Sequence, residues 1–297
     1  MIDVEKLIAA AQSLEPLPAS AVRLAKVVND PESSVDDVAD IVAYDQALAM
    51  TVLRMANSVA SGSWTRITDV REAVMRLGGA QVLSAAIGAH ARPLMSRALR
   101  SFGLDENELW RHSVRSALAV ELMPKVWRRA VPPPTFAAAL LHDVGKLVMD
   151  RFLAPEDLAM IRRAREEGHV DARTAEQEIL DVNHAEVGGL VAQSWSLPEE
   201  IVRGIIFHHQ PELVADPVTD RVYIANIIAH YPASAAAEGE EPDGEAAGDE
   251  APAPAFPELD AEVRERLDLG DDDTMLRDLA EAVEAHFEER FAAYLEA

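Results

Sequence analysis

The chain has 297 residues, a net charge of −25 and no cysteine, with 49% hydrophobic but only 5% aromatic residues. That length supports one large or two modest packed domains, and the missing cysteine excludes disulfides and thiolate zinc sites. The acidity opposes nonspecific nucleic-acid binding, which needs a basic face. No run of about 18 apolar residues and no signal-peptide pattern is present, so the expectation is a soluble, cytoplasmic protein.

Abundant Ala and Leu with few aromatics favour helices over sheets. A short amphipathic helix is predicted from Asp3 to about Ser13, ending before Pro16 and Pro18. The next runs from Ser20 through Val28 and stops at Asn29-Asp30-Pro31. Ser34 caps a helix through Val42, with Asp36 and Asp37 in the first turn, where the dipole favours carboxylates. Asp45 caps another, whose apolar face carries Leu48, Val52, Leu53, Met55 and Ala56. Asp69 to Leu77 follows, closed by Gly78-Gly79, and then Gln81 to Leu94. A second block opens near Asp105, with helices predicted over about 107–123, 135–151, 155–167, 171–182, 184–195, 198–208 and 218–231. No alternating strand pattern interrupts them, so the fold class is all-α.

From Ala233 to Phe256 the sequence turns to Ala, Glu, Gly, Pro and Asp, the composition of a disordered acidic linker. Helical spacing returns over about 273–295, at Leu276, Leu279, Val283, Phe287 and Phe291, with an acidic opposite face. This divides the chain into an N-terminal helical subdomain (1–104), a second (105–232), the linker (233–257) and a helical tail (258–297). Residues 233–297 hold 21 acidic and 4 basic side chains, so −17 of the −25 sits there.

The chemistry-bearing feature is His142-Asp143, followed by Lys146, with His112 before it and His184, His208 and His209 after it. A carboxylate can bridge two divalent cations while neutral imidazoles fill their other positions. A metal-bound water then becomes hydroxide near neutral pH and can attack phosphorus. Lys146, one turn on, is placed to contact a phosphate oxygen. Each histidine alone reads as a surface or core residue; the set reads as a pocket. Neither a phosphate-cradling glycine loop nor a nucleophile elbow is present.

Leu141-His142-Asp143-Val144-Gly145-Lys146 resembles the signature of HD-superfamily phosphohydrolases. The rest of the chain is similar more particularly to the HDOD domain, the HD-related output domain of bacterial signalling. The likeness rests on Leu17-Pro18, Asp45-Gln46-Ala47-Leu48, Leu53-Arg54-Met55-Ala56-Asn57-Ser58 and Arg76-Leu77-Gly78-Gly79. It continues through Leu109-Trp110-Arg111-His112, Asn183-His184-Ala185-Glu186, Trp195-Ser196-Leu197-Pro198 and His208-His209. The resemblance implies an N-terminal helical bundle packed on an HD-like helical bundle, and a regulatory role. It places metal ligands at His112, His142, Asp143, His184, His208 and His209, for a divalent cation such as iron or manganese. Asn226 stands where catalytic HD domains carry a late aspartate, and a neutral carbonyl oxygen holds a cation more weakly than a carboxylate does. His230, four residues on, shares its helical face. The Gly-Tyr-Pro element of the HD-GYP branch is missing.

Two functions follow as expectations. One is a signalling module acting on a protein partner in trans, with a metal or nucleotide in a degenerate pocket and no nucleic-acid or membrane partner. The other is a metal-dependent phosphohydrolase of a nucleotide or cyclic dinucleotide. Residues 92–129 form the most basic zone, including Arg92, Arg97, Arg100, Arg111, Arg115, Lys125, Arg128 and Arg129. That zone reads as a solvated face, a phosphate site or a counterion surface for the acidic tail. Trp64 reads as a partner anchor or a half-buried packing residue, and the methionines as core filler.

Overall fold

The computed structural model describes residues 4–58, 66–168, 172–231, 256–270 and 272–296. Trp64 and most of the acidic linker lie outside them. The described chain is helical throughout, and its only β feature is an isolated bridge between Leu99 and Leu104.

The N-terminal helices are α1 (Val4–Gln12), α2 (Ala19–Val28), α3 (Val35–Ala43), α4 (Gln46–Ala56), α5 (Val70–Leu77) and α6 (Gly79–Met95). Their starts are written in the sequence. Ser34 and Asp37 exchange hydrogen bonds in a capping box at α3, and Asp45 and Asp69 accept the Leu48 and Glu72 amides. Gly78, at φ +82, ends α5 and lets α6 begin at once, two residues earlier than the pattern predicts.

The second set comprises α7 (Glu108–Trp127), α8 (Pro134–Leu141), α9 (Gly145–Phe152), α10 (Pro155–Gly168), α11 (Ala172–Leu180), α12 (His184–Ser194), α13 (Glu199–Ile206) and α14 (Pro217–His230). One helix predicted over 135–151 is thus two. Between them the ladder tightens to three-residue bonds, Val144 N–H to Leu141 O at 2.9 Å and Lys146 N–H to Asp143 O at 3.0 Å. The break falls on His142-Asp143. The two sets share one continuous core: α6 packs on α8, and α1 crosses to pack on α9 and α12. Methionines divide between roles, with Met95, Met123 and Met149 fully buried and Met50, Met75 and Met160 exposed.

The tail forms α15 (Ala261–Arg266), which the sequence pattern does not signal, and α16 (Thr274–Glu296). Six residues are too short to show periodicity; α15 exists because Asp260 caps it and Arg266 pairs with buried Asp220 at 2.7 Å. α16 lies along α7 and buries Leu276, Leu279, Val283, Phe287 and Phe291. Its acidic face meets the basic zone: Arg111 pairs with Glu288 at 2.7 Å and Arg115 with Glu284 at 2.9 Å. The Arg115 guanidinium also sits 4.2 Å from the Phe287 ring centroid. The tail is therefore a counterion for part of that zone. Arg115→Met is expected to lower stability by about 1 kcal/mol in low salt, the worth of a half-exposed pair with a cation–π contact. Urea unfolding at low and high salt checks this, and the difference from wild type should shrink as salt rises. No helix among the described residues is long and apolar enough to cross a membrane.

Candidate metal centre

Five pieces of the fold bring the polar groups together. α7 supplies His112, the α8–α9 turn His142 and Asp143, the first turn of α12 His184, the turn after α13 His208 and His209, and α14 Asn226. Both late histidines lie past the end of α13, which stops at Ile206 rather than 208. Asp143, His142, His184 and His208 are all 2% exposed or less.

The convergence is on the Asp143 carboxylate. Oδ1 lies 3.3 Å from His184 Nε2 and 3.9 Å from His208 Nε2. Oδ2 lies 3.5 Å from His142 Nε2 and 3.6 Å from His112 Nε2. His184 Nε2 is 3.0 Å from His209 Nε2, and His112 Nε2 is 3.0 Å from both His142 Nε2 and Asn226 Oδ1. Two groups of donor atoms result among the described residues, His112–His142–Asp143 and His184–His208–His209, the atoms of each within 4.8 Å of one another.

The outward ring nitrogens fix which lone pairs face in. His142 Nδ1 lies 2.8 Å from the Ala139 carbonyl and His208 Nδ1 2.7 Å from the Ile205 carbonyl. A carbonyl only accepts, so each Nδ1 carries the proton and donates, leaving Nε2 bare. His184 Nδ1 donates likewise to Glu176 Oε2 at 2.6 Å. Three bare nitrogens thus point at a carboxylate, acceptors facing acceptors, and buried His208 Nε2 has no hydrogen-bond partner at all. Such an arrangement is repulsive unless cations lie between the atoms. Separations of 3.0–3.9 Å suit neighbouring ligands on cations bonded at about 2.0–2.2 Å. The residues present fit a pair of divalent cations, which Asp143 and the imidazoles on either side of it would hold, with outer-sphere carbonyls and a carboxylate orienting the imidazoles.

Lys146 Nζ donates to Asp143 Oδ2 at 2.6 Å, so the lysine lies at the pocket rather than merely near it in sequence. His230 does not converge with the donors: its ring lies 4.3 Å from that of His112, tilted 38°. It packs on His112 instead of ligating beside it. Glu176, wholly buried on α11, is a site residue the sequence reading missed. Its signal is a carboxylate eight positions before His184, on the side of α11 where its neighbours Ala175 and Leu180 are core.

Electrostatics follow from burial. Desolvation holds His112 and His208 well below the usual imidazole range, lowers His142, and pushes His209 down to about 2. Desolvation would raise Asp143, but the Lys146 ammonium at 2.6 Å opposes it, and the carboxyl is held well below its ordinary value. The unfolded chain takes up histidine protons near pH 6.5 while the fold refuses them, so stability falls as pH drops below about 6.5. Asp143 adds to that loss only below about pH 4. Chelator-treated protein is expected to lose about 1.4 kcal/mol per pH unit for each histidine kept neutral. Urea unfolding at pH 7.5 and 5.5 measures it, and equal stability at the two would contradict buried neutral imidazoles.

With this geometry in place, the comparisons with known proteins are specific. The HDOD domain profile matches residues 14–211, two thirds of the chain. The chain belongs to the HDOD family. An HDOD domain protein of unknown function from Geobacter sulfurreducens is 25% identical, with a TM-score of 0.64 and 98% of both chains covered. A Shewanella amazonensis protein, provisionally named a phosphohydrolase, is 25% identical with a TM-score of 0.63 over 98% of this chain and 97% of its own. An uncharacterized Treponema pallidum protein is 28% identical over 222 residues, 72% of this chain. This chain spans 42% of that relative's length. The all-α HD-like architecture is the one these neighbours share, and the domain is related to HD phosphohydrolases.

Proposed function

We propose that this HDOD protein is a signal-transduction module whose HD-derived pocket holds divalent metal and which acts through contacts with a partner protein. The observation that carries this reading is the replacement of negative charge on one side of the pocket. Asn226, 3.0 Å from His112 Nε2, is neutral, and the Lys146 ammonium lies on Asp143 Oδ2. A two-cation hydrolase needs both cations held firmly around a nucleophilic hydroxide; here the first position keeps His112 and His142 but has its anionic donors absent or neutralised.

Metal would still do structural work. The donors come from α7, the α8–α9 turn, α12, the turn after α13, and α14, so occupancy couples the positions of five segments. A ligand that binds only the folded arrangement stabilises it by about 2.7 kcal/mol at a hundredfold excess over Kd. Manganese is therefore expected to raise the melting temperature of chelator-treated protein by several degrees, and an unchanged melt would argue against a metal pocket. A face for protein contacts has support in Tyr44, Met50 and Met75, exposed by 88%, 63% and 53% on the α3–α5 helices.

The six retained histidine and aspartate donors favour a second reading, a metal-dependent phosphohydrolase acting on a nucleotide or cyclic dinucleotide. Metal analysis of protein purified without chelator, paired with assays on cyclic dinucleotides and simple phosphodiesters, separates the two. Bound metal without turnover supports the signalling module. Turnover that disappears in Asp143→Ala would replace it with the hydrolase.

A further inference from the structure

Glu176 is buried with no exposed surface, yet it pairs with neither Lys nor Arg among the described residues. Its Oε2 accepts two hydrogen bonds from one residue, the His184 main-chain N–H at 2.8 Å and the His184 Nδ1–H at 2.6 Å. Its Oε1 is buried and has no partner. A carboxylate placed so is costly unless positive charge lies close by. The direction in which charge can reach it is through the His184 ring, whose other nitrogen faces Asp143 Oδ1 at 3.3 Å.

The three inward imidazoles with identified outer partners are therefore unequal. His142 and His208 lean on neutral carbonyls, whereas His184 leans on a carboxylate, which makes its Nε2 the stronger donor. The inequality runs the same way on the opposite side. Asp143 Oδ2, which faces His112 and His142, carries the Lys146 ammonium at 2.6 Å, and Asn226 adds no charge. Asp143 Oδ1 faces His184 and His208, and His209 Nε2 completes that group 3.0 Å from His184 Nε2.

We infer that the two cation positions differ in affinity, the position of His184, His208, His209 and Asp143 Oδ1 filling first, with Glu176 as the positioning residue that sets the difference. This rests on the metal-pocket reading above. At low metal the protein would hold one cation, and the Lys146 ammonium on Asp143 Oδ2 would compete with a second.

Calorimetric titration of the chelator-stripped full chain with Mn²⁺ alone tests this. Wild type is expected to show two steps at least tenfold apart. Glu176→Gln keeps the shape of the side chain but not the charge, and should weaken the tight step about 10–100-fold while leaving the weak one in place. Lys146→Met and Asn226→Asp should each strengthen the weak step and spare the tight one, and they carry the test if Glu176→Gln does not fold. Two equal steps, a tight step indifferent to Glu176→Gln, or a weak step indifferent to both other variants would overturn the inference while leaving the metal pocket intact. No Mn²⁺ uptake by wild type would remove the metal pocket itself and the inference with it.

Discussion

Asp143→Ala is expected to abolish divalent-cation binding at both positions, not one. Its two oxygens face different histidine groups, Oδ1 toward His184 at 3.3 Å and Oδ2 toward His142 and His112 at 3.5 and 3.6 Å. Among the converging side chains it is the one carboxylate, the others being imidazoles and the Asn226 amide. Removing it leaves neutral donors around a buried cation, and burial of charge without a counter-charge is costly. Lys146 also loses its partner, so an ammonium is released into the pocket and repels what remains. The loss should exceed 100-fold in Mn²⁺ affinity at each step, beyond what outer-sphere changes usually cause. Calorimetry on the chelator-stripped variant, with circular dichroism confirming the fold, gives the answer. A variant that keeps one tight step would show that His184, His208 and His209 suffice, and that Asp143 does not bridge.

The donor set is legible in the sequence because its members are chemically rare: few reasons exist for His142-Asp143 to follow an apolar run and precede four more such histidines and amides at intervals. What holds the set in place is less legible. Ala139 and Ile205 act through their carbonyls, and a main-chain acceptor leaves no trace in residue type. Glu176 reads as one more helix carboxylate in an acidic chain until burial marks it. The break between α8 and α9 is invisible to periodicity, because the backbone stays in the right-handed region, with His142 at φ −53 and Val144 at φ −58. Only the hydrogen-bond spacing changes there. Helix starts were easier, since Ser34, Asp45 and Asp69 are side-chain caps whose chemistry is local. The tail shows both cases: the 3.6-residue stripe announces α16, while α15 depends on the distant contact of Arg266 with Asp220.

Gly145→Ala should be the most damaging single-methyl change in the pocket, although alanine is intrinsically better in a helix by about 1 kcal/mol. A Cβ at Gly145 would lie 2.0 Å from the His184 carbonyl oxygen and 2.5 Å from the Gly188 amide nitrogen. Both are main-chain atoms of α12, so no side chain can rotate away. The first turns of α9 and α12 must separate, and overpacking of this kind costs about 1–3 kcal/mol. With backbone against backbone the upper end is expected, about 3 kcal/mol before the propensity gain is set against it. The displacement has a direction: α9 carries Asp143 at its entry and α12 carries His184 at its first position, so the 3.3 Å approach of Nε2 to Oδ1 opens first. Mn²⁺ affinity of the tight step is therefore expected to fall with stability, whereas a core truncation far from this crossing should lower stability alone. Urea unfolding and metal titration of the same preparation distinguish these outcomes. A Gly145→Ala protein with wild-type affinity would mean that the helix crossing tolerates the methyl group and that the pocket is not held by the α9–α12 contact.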